Sequence, residues 1–309
     1  MRRLMLIVAA VLIAPVLAAA QDVAVPGKAS TLSMLQTVIP RDPASAGMGA
    51  ASSLEAGHSA YSAFSNPGII PFSGEQMDFS FSWQRWQPKT PASSNNFSMG
   101  YAYNSGQKFG AALALSMDRI ASYDVADGDG IIRGQYQPSN LAIAAGLSWR
   151  FIPELAISVT ARYMYSNLYD DISFGAPAFD AALTFGKGMF KAAAGVRNLG
   201  KAVDGLYPLP SSAFAAVSAF RRFGKSAVEA RLEAEDYFYG AFRFAAGASY
   251  SYGMLAARLG CNVGSKSPLG DFVSFGLGFA GYSVHVDAAY LCGNGPINGS
   301  LCIGIGFSF

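Results

Sequence analysis

The residues of this chain that could do chemistry are two histidines, three cysteines and a few clustered carboxylates. His285 stands two residues before Asp287, a spacing that puts both side chains on one face of a strand. Such a pair can relay a proton, but no nucleophile can be assigned beside it, so a hydrogen bond or ion pair is its expected role. Glu229, Glu233 and Glu235 recur on one parity with Arg231 among them. A carboxylate row can hold Ca²⁺, whereas the interleaved arginine favours a salt-bridged wall. "DVADGDG" (residues 124–130) resembles part of a calcium loop but lacks the correctly spaced Glu, and reads as a solvated loop. Cys292 and Cys302 flank the last hairpin, and their parity sets them on opposite faces unless that hairpin is bulged. H-E-x-x-H, C-x-x-C and phosphate-binding glycine motifs are all missing from the sequence, so no catalytic residue, cofactor or metal is expected.

The elements that must position these residues follow from patterning. Arg2 and Arg3, the apolar run Leu4–Leu17 and Ala18–Ala20 before Gln21 have the three parts of a cleaved export signal, so residues 1–20 are expected to be removed. Without Arg2 and Arg3 the chain carries 20 basic and 20 acidic residues, and a nucleic-acid surface, which needs a basic excess, is excluded. Charged residues make up 14% and aromatics 13%, yet no later stretch approaches the roughly 18–20 apolar residues of a membrane-spanning helix. An exported, apolar chain of this kind fits a β-barrel in the cell outer membrane, where greasy residues alternate with polar ones.

Alternation of period two runs from about residue 76 to the end. Met77, Phe79, Phe81 and Trp83 begin it, and Leu301, Ile303, Ile305, Phe307 and Phe309 finish it. About fourteen such runs of roughly ten residues can be traced, the length a tilted strand needs to cross a bilayer. The run near residues 213–223 is the least regular. Arg162, Asp180, Arg197, Glu229, Arg231, Glu233, Arg243, Arg258 and Asp287 all occupy the parity opposite the greasy one. Because a charge facing lipid costs about 2–4 kcal/mol at mid-membrane, these are expected in the lumen. Short links alternate with long ones at residues 87–94, 119–138, 167–176, 199–210, 264–270 and 291–298, as periplasmic turns alternate with extracellular loops. The expected architecture is an all-β, 14-stranded antiparallel transmembrane barrel over residues 76–309. Phe309 is placed where the last strand closes against the first, which removes free edges.

Residues 21–75 do not alternate. Ala, Gly and Ser dominate up to a break at Asn66-Pro67-Gly68, and "SAYSAF" and "GIIPF" are too apolar for a free arm. A plug folded into the lumen is expected, with Gly47, Met48, Gly49, Asn66, Pro67 and Gly68 as its motif residues.

Several stretches resemble the PorV/PorQ family of outer-membrane barrels, which are similar in fold to the FadL transporters. They are "ASAGMG" (44–49), "LEAGHSAYSAFSNPGII" (54–70), "SFSWQRWQP" (80–88), "GQYQPSNLAIAAGLSW" (134–149), "AAAGVRNLG" (192–200) and "AARLGCNVG" (256–264). Two departures stand out. The family's Asn-Pro-Ala is Asn66-Pro67-Gly68 here, and the chain is shorter than typical members, so some loops are cut back. The resemblance implies a fourteen-stranded barrel with an N-terminal plug, an insertion signal at Phe309 read by the barrel-assembly machinery, and contact with outer-membrane lipid. It also implies a non-enzymatic part in type IX protein secretion. The expected partners are then a translocon, a cell-surface sortase and cargo bearing a C-terminal secretion domain. The alternative is FadL-like transport of hydrophobic small molecules, which requires an apolar pocket open to the outside and a lateral opening in the wall. The inward parity of the strands carries no marked apolar cluster, which ranks transport second on sequence alone.

Overall fold

A computed structural model describes residues 32–55, 58–170 and 172–309, and the expected export signal lies outside them. Fourteen strands close into a single antiparallel barrel, with a separate two-stranded hairpin in one outer loop. In chain order they are β1 (Met77–Trp86), β2 (Ser94–Ser105), β3 (Phe109–Ile120), the loop hairpin β4 (Tyr123–Ala126) and β5 (Ile132–Tyr136), then β6 (Ser139–Ile152), β7 (Leu155–Tyr169) and β8 (Ile172–Lys187). The wall continues through β9 (Phe190–Leu199), β10 (Ser212–Phe223), β11 (Ser226–Tyr237), β12 (Ala241–Tyr252), β13 (Leu255–Ser265), β14 (Phe272–Gly281), β15 (Val284–Gly293) and β16 (Ser300–Ser308).

Alternation produces this wall because successive side chains of a strand point to opposite faces. Phe81, Phe97, Leu113, Leu147, Val159, Phe275 and Leu277 are exposed on the outer surface, while their neighbours Ser80, Ser82, Ser98, Ala112, Ser148 and Ser158 are buried inside. Burial there comes from the plug, since small inward side chains leave room for a chain segment. The barrel shuts where β1 pairs with β16, from Asp78 opposite Ser308 to Arg85 opposite Leu301. The Phe309 carbonyl accepts bonds from the N–H groups of Gln76 (2.6 Å) and Met77 (3.0 Å), and its own N–H bonds to the Met77 carbonyl (2.8 Å). The last residue thus completes the ladder while its ring stays on the surface.

Two local differences from the sequence expectation, and one irregularity that it anticipated, have physical causes. β8 begins at Ile172, well before residue 179, because β7 offers it a partner from Tyr169 downward, with one register shift between Tyr169 and Asn167, although Gly175 and Pro177 spoil its alternation. Strand β4–β5 forms within the long loop expected at residues 119–138; Tyr123 and Tyr136 hold it by donating their hydroxyls to the Leu168 carbonyl and to Asn167 Oδ1. β10 is irregular because the inward Phe214 is large; it packs with Leu54 and Ile69 of the plug where other strands present Ala or Ser. All three cysteines are unbonded. Cys302 lies opposite Ala289 and Cys292 opposite Val273, so the hairpin keeps its regular register.

Candidate functional site

Inside the wall, residues 32–55 and 58–75 form short turns rather than long elements. The four-residue helix α1 (Pro43–Ala46) starts at Asp42, whose carboxylate accepts the N–H groups of Ala44 (3.2 Å) and Ser45 (2.7 Å), with Pro43 in the first helical turn. Gly47-Met48-Gly49 then lies directly on the wall. A Cβ on Gly47 would be 3.0 Å from Gly276 Cα, and one on Gly247 would strike Met48. Gly49 has φ +71°, a conformation costly for any side chain, and its N–H bonds to Ser274 Oγ at 3.0 Å. Glycine on both sides of the contact therefore lets plug and wall backbones touch.

Asn66 is the second anchor. It is fully buried, donates from Nδ2 to the Ser53 carbonyl (3.0 Å) and Thr184 Oγ1 (2.9 Å), and accepts at Oδ1 from Gly68 N–H (3.0 Å) and Ser158 Oγ (3.0 Å). Pro67 sits against Gly146. A methyl group at residue 68 would overlap Thr184 Oγ1, which explains the glycine at this position.

Between these anchors the lumen is filled with paired charge. Glu233 receives Arg197 Nη1 (3.1 Å), Arg243 Nη2 (2.6 Å), Ser53 N–H (2.9 Å) and Ser53 Oγ (2.6 Å). Glu235 receives Arg243 Nε (3.0 Å) and Ser212 Oγ (2.6 Å). Arg231 chelates Glu229 and reaches Ser45 Oγ and the Ala51 carbonyl. Arg162 pairs with Asp180, and Arg258 pairs with Asp287 at 2.6 Å. Arg41, from the plug, grips Asp118 of β3 with two bonds of 2.7 and 3.1 Å. The free space left in this layer is a cavity of only about 50 Å³, little more than a site for water.

Above the Arg41–Asp118 pair the lumen opens into a larger cavity of about 520 Å³ at the loop end of the barrel. Its floor is the plug turn with Met34, Leu35, Val38 and Ile39. Trp86 and Phe174 line its sides, and Val203, Tyr207 and Leu269 of the outer loops cover it. Most of the lining is apolar, and the polar side chains that join it are Ser33, Gln36, Gln87, Ser94, Asn140, Ser166 and the Arg41-paired Asp118.

One side of this cavity lies against a break in the wall. β8 and β9 pair regularly from Lys187–Phe190 to Ala181–Val196, shift register, and end at Phe179–Leu199. Asn198, at φ 53°, marks the shift. Beyond it, residues 172–178 of β8 pair with β7 alone. Pro177 has no N–H to offer a neighbour, which suits an unpaired edge. The gap is closed by side chains instead of a ladder, with Met34 of the plug, Ala176 and Ala178 of β8, and Val203 and Leu209 of the following loop in one buried cluster. Met34 holds φ 54°, an uncommon conformation for a residue with a side chain.

The structure places the residues singled out in the sequence as follows. Gly47, Met48, Gly49, Asn66, Pro67 and Gly68 are plug–wall contacts, and the nine lumen charges point inward and are paired with one another. Asp127 of the calcium-like stretch accepts the N–H groups of Asp129 and Ile131 and an Arg133 Nε bond of 2.7 Å, so its carboxylate caps a turn. The Ile131 N–H above all, then Arg133, hold that carboxyl below its ordinary range. The apolar cavity is a correction, since parity counting found no inward apolar cluster. Its lining comes from the plug turn and the outer loops, which have no strand period; the apolar run around Met34–Ile39 was the available signal. His58 was also missed as a neighbour of His285, because one belongs to the plug and the other to β15.

No family model and no curated protein matches this sequence. Solved structures do match in fold. The toluene transporter TbuX of Ralstonia pickettii aligns with TM-score 0.62 at 12% identity, covering 86% of this chain and 98% of that one. The toluene transporter TodX of Pseudomonas putida aligns with TM-score 0.58 at 10% identity, over 86% and 97%. A FadL homologue of Pseudomonas aeruginosa aligns with TM-score 0.50 at 13% identity, over 88% and 98%. The chain therefore has the FadL-like fourteen-stranded barrel fold and belongs in the outer membrane.

Proposed function

We propose that this protein admits small hydrophobic molecules across the outer membrane, taking them up in the mouth cavity and releasing them sideways at the β8–β9 break. The observation that carries this is the coincidence of the two features, an apolar cavity of about 520 Å³ set against the one stretch where β8 lacks its β9 partner. An apolar cavity of about 150 Å³ holds benzene, so this one has room for a compound of one to a few rings. The charged layer below opposes passage straight down the lumen, since an apolar solute there would separate buried ion pairs from their partners. A sideways exit leads through the apolar cluster of Met34, Val203 and Leu209 that closes the break. Two of the matching structures are toluene transporters, which agrees with this substrate class.

The test is binding of naphthalene to the detergent-solubilised protein, followed by its fluorescence. Saturable binding is expected, with loss of about tenfold or more in affinity in Phe174→Asp, because a charge there must be desolvated when the ligand seats. Partition of naphthalene into wild type and variant alike, without saturation, would overturn the proposal.

The secretion role implied by the PorV/PorQ resemblance shares the barrel and plug as its support, but no family model matches. Copurification of the tagged protein from its native membrane with a translocon, a sortase or C-terminal-domain cargo is the result that would favour it.

A further inference from the structure

The only two histidines of the chain, far apart in sequence, meet at the turn end of the lumen. His58 comes from the plug and His285 from β15, and their rings lie 3.6 Å apart and nearly parallel, at 14°. Asp78 of β1 faces them. Its Oδ2 accepts the backbone N–H groups of Ser59 and Ala60, which leaves Oδ1 aimed at His285 Nε2, 3.5 Å away, with Ser308 Oγ at 3.3 Å. His285 Nδ1 lies 3.4 Å from Asp287 Oδ2, and the other oxygen of Asp287 is held by Arg258. His58 Nδ1 is buried with no hydrogen-bond partner among the described residues. One donor atom from each of His58, Asp78 and His285 lies within 4.8 Å of the other two.

We infer that His58, Asp78 and His285 form a binding site for a divalent cation of the zinc class, which fastens the plug to the barrel wall. This inference is independent of the transport proposal.

Three features point to an ion rather than to hydrogen bonds. All three polar contacts of the His285 ring, to Asp78 Oδ1 (3.5 Å), Ser80 Oγ (3.4 Å) and Asp287 Oδ2 (3.4 Å), are longer than the 2.7–3.2 Å of a good hydrogen bond, and the separation from Asp78 is close to the roughly 3.4 Å between ligand atoms of a tetrahedral ion with bonds of about 2.0–2.1 Å. Two imidazoles with one carboxylate select a borderline cation, whereas Ca²⁺ and Mg²⁺ take oxygen ligands. Asp287 then stands on the far nitrogen of His285, where a carboxylate orients a metal-binding imidazole and raises its basicity. Stacked rings present their lone pairs in parallel planes, so one ring must turn to share an ion. His58 can do so, because no hydrogen bond from the described residues holds its Nδ1. A water completes the coordination. The ion would join the plug, β1 and β15 at one point, and offset the charge of Asp78, which has no arginine partner among the described residues.

The experiment uses the full chain folded in detergent and stripped with a chelator. Zn²⁺ is titrated against a chromogenic chelator, Co²⁺ is added separately for its absorption spectrum, and barrel integrity is checked by heat-dependent gel mobility. One equivalent of Zn²⁺ is expected, unaffected by excess Mg²⁺ or Ca²⁺, with a Co²⁺ spectrum free of thiolate charge transfer. His58→Ala lies in a turn of the plug, outside the wall, and is expected to lose saturable binding while the barrel stays folded. Asp287→Asn is expected to weaken binding by about 10–100-fold. No stoichiometric binding by wild type, binding by His58→Ala equal to wild type, or a Co²⁺–thiolate band from the cysteines would each overturn the site.

Discussion

Glu233 is the side chain through which the lumen wall most directly holds the plug, and Glu233→Gln tests how firmly. The carboxylate takes four bonds, two from Ser53 of the plug and one each from Arg197 and Arg243. Bonds to a charged group contribute about 1.5–3 kcal/mol each against about 0.5–1.5 kcal/mol for neutral ones. The amide keeps the volume but has a single acceptor oxygen, and its NH₂ group turns donors of Arg197 or Ser53 into clashes of like polarity. Removing one partner of a buried ion pair costs about 3–5 kcal/mol, because the other charge is left without compensation. The barrel ladder does not depend on this side chain, so the cost should fall on the docking of residues 50–54. At 1.4 kcal/mol for each factor of ten, that stretch should open about a hundred- to several-thousand-fold more often. Amide hydrogen exchange at Ser53 and its neighbours reads this directly, with gel mobility as the control for the barrel. Exchange within tenfold of wild type in a folded barrel would show that the paired charges are filler and do not hold the plug.

Two further predictions concern the plug motif and the outer hairpin. Gly68→Ala should destabilise plug docking by about 1–3 kcal/mol through overpacking against Thr184 Oγ1, and the pair Gly68→Ala with Thr184→Ala should be less affected than Gly68→Ala alone; equal exchange in both would place the cost elsewhere. Because the Asp127 carboxyl is held below its ordinary value, its support of the β4–β5 turn is complete above the unfolded value of about 3.9 and is lost as pH falls through the lower folded value. Exchange at Ile131 N–H should therefore quicken in acid in wild type and show no such step in Asp127→Asn, and identical profiles would rule out the cap.

Much of this molecule is local in origin, and that part was readable from the chain. Side-chain direction along a strand is set by the backbone two residues at a time, so Phe81 and Leu277 could be sent outward and Arg162 and Glu233 inward without knowing what they face. The cost of a charge in lipid then made the barrel the consistent solution. The small residues of Gly47–Gly49 and Gly68 announced a close contact but not its partners. Closure decided those, by bringing Gly247, Gly260, Gly276 and Thr184 to the inner surface beside them. The mouth cavity follows the same division. Met34, Phe174 and Tyr207 belong to a turn, a strand end and a loop, and no periodicity links them. His58 and His285 show it most plainly, since their 3.6 Å contact exists only because a plug of given length reaches one place on a closed wall. Face and period are properties of neighbouring residues, whereas a site across a lumen depends on the way the whole ring shuts.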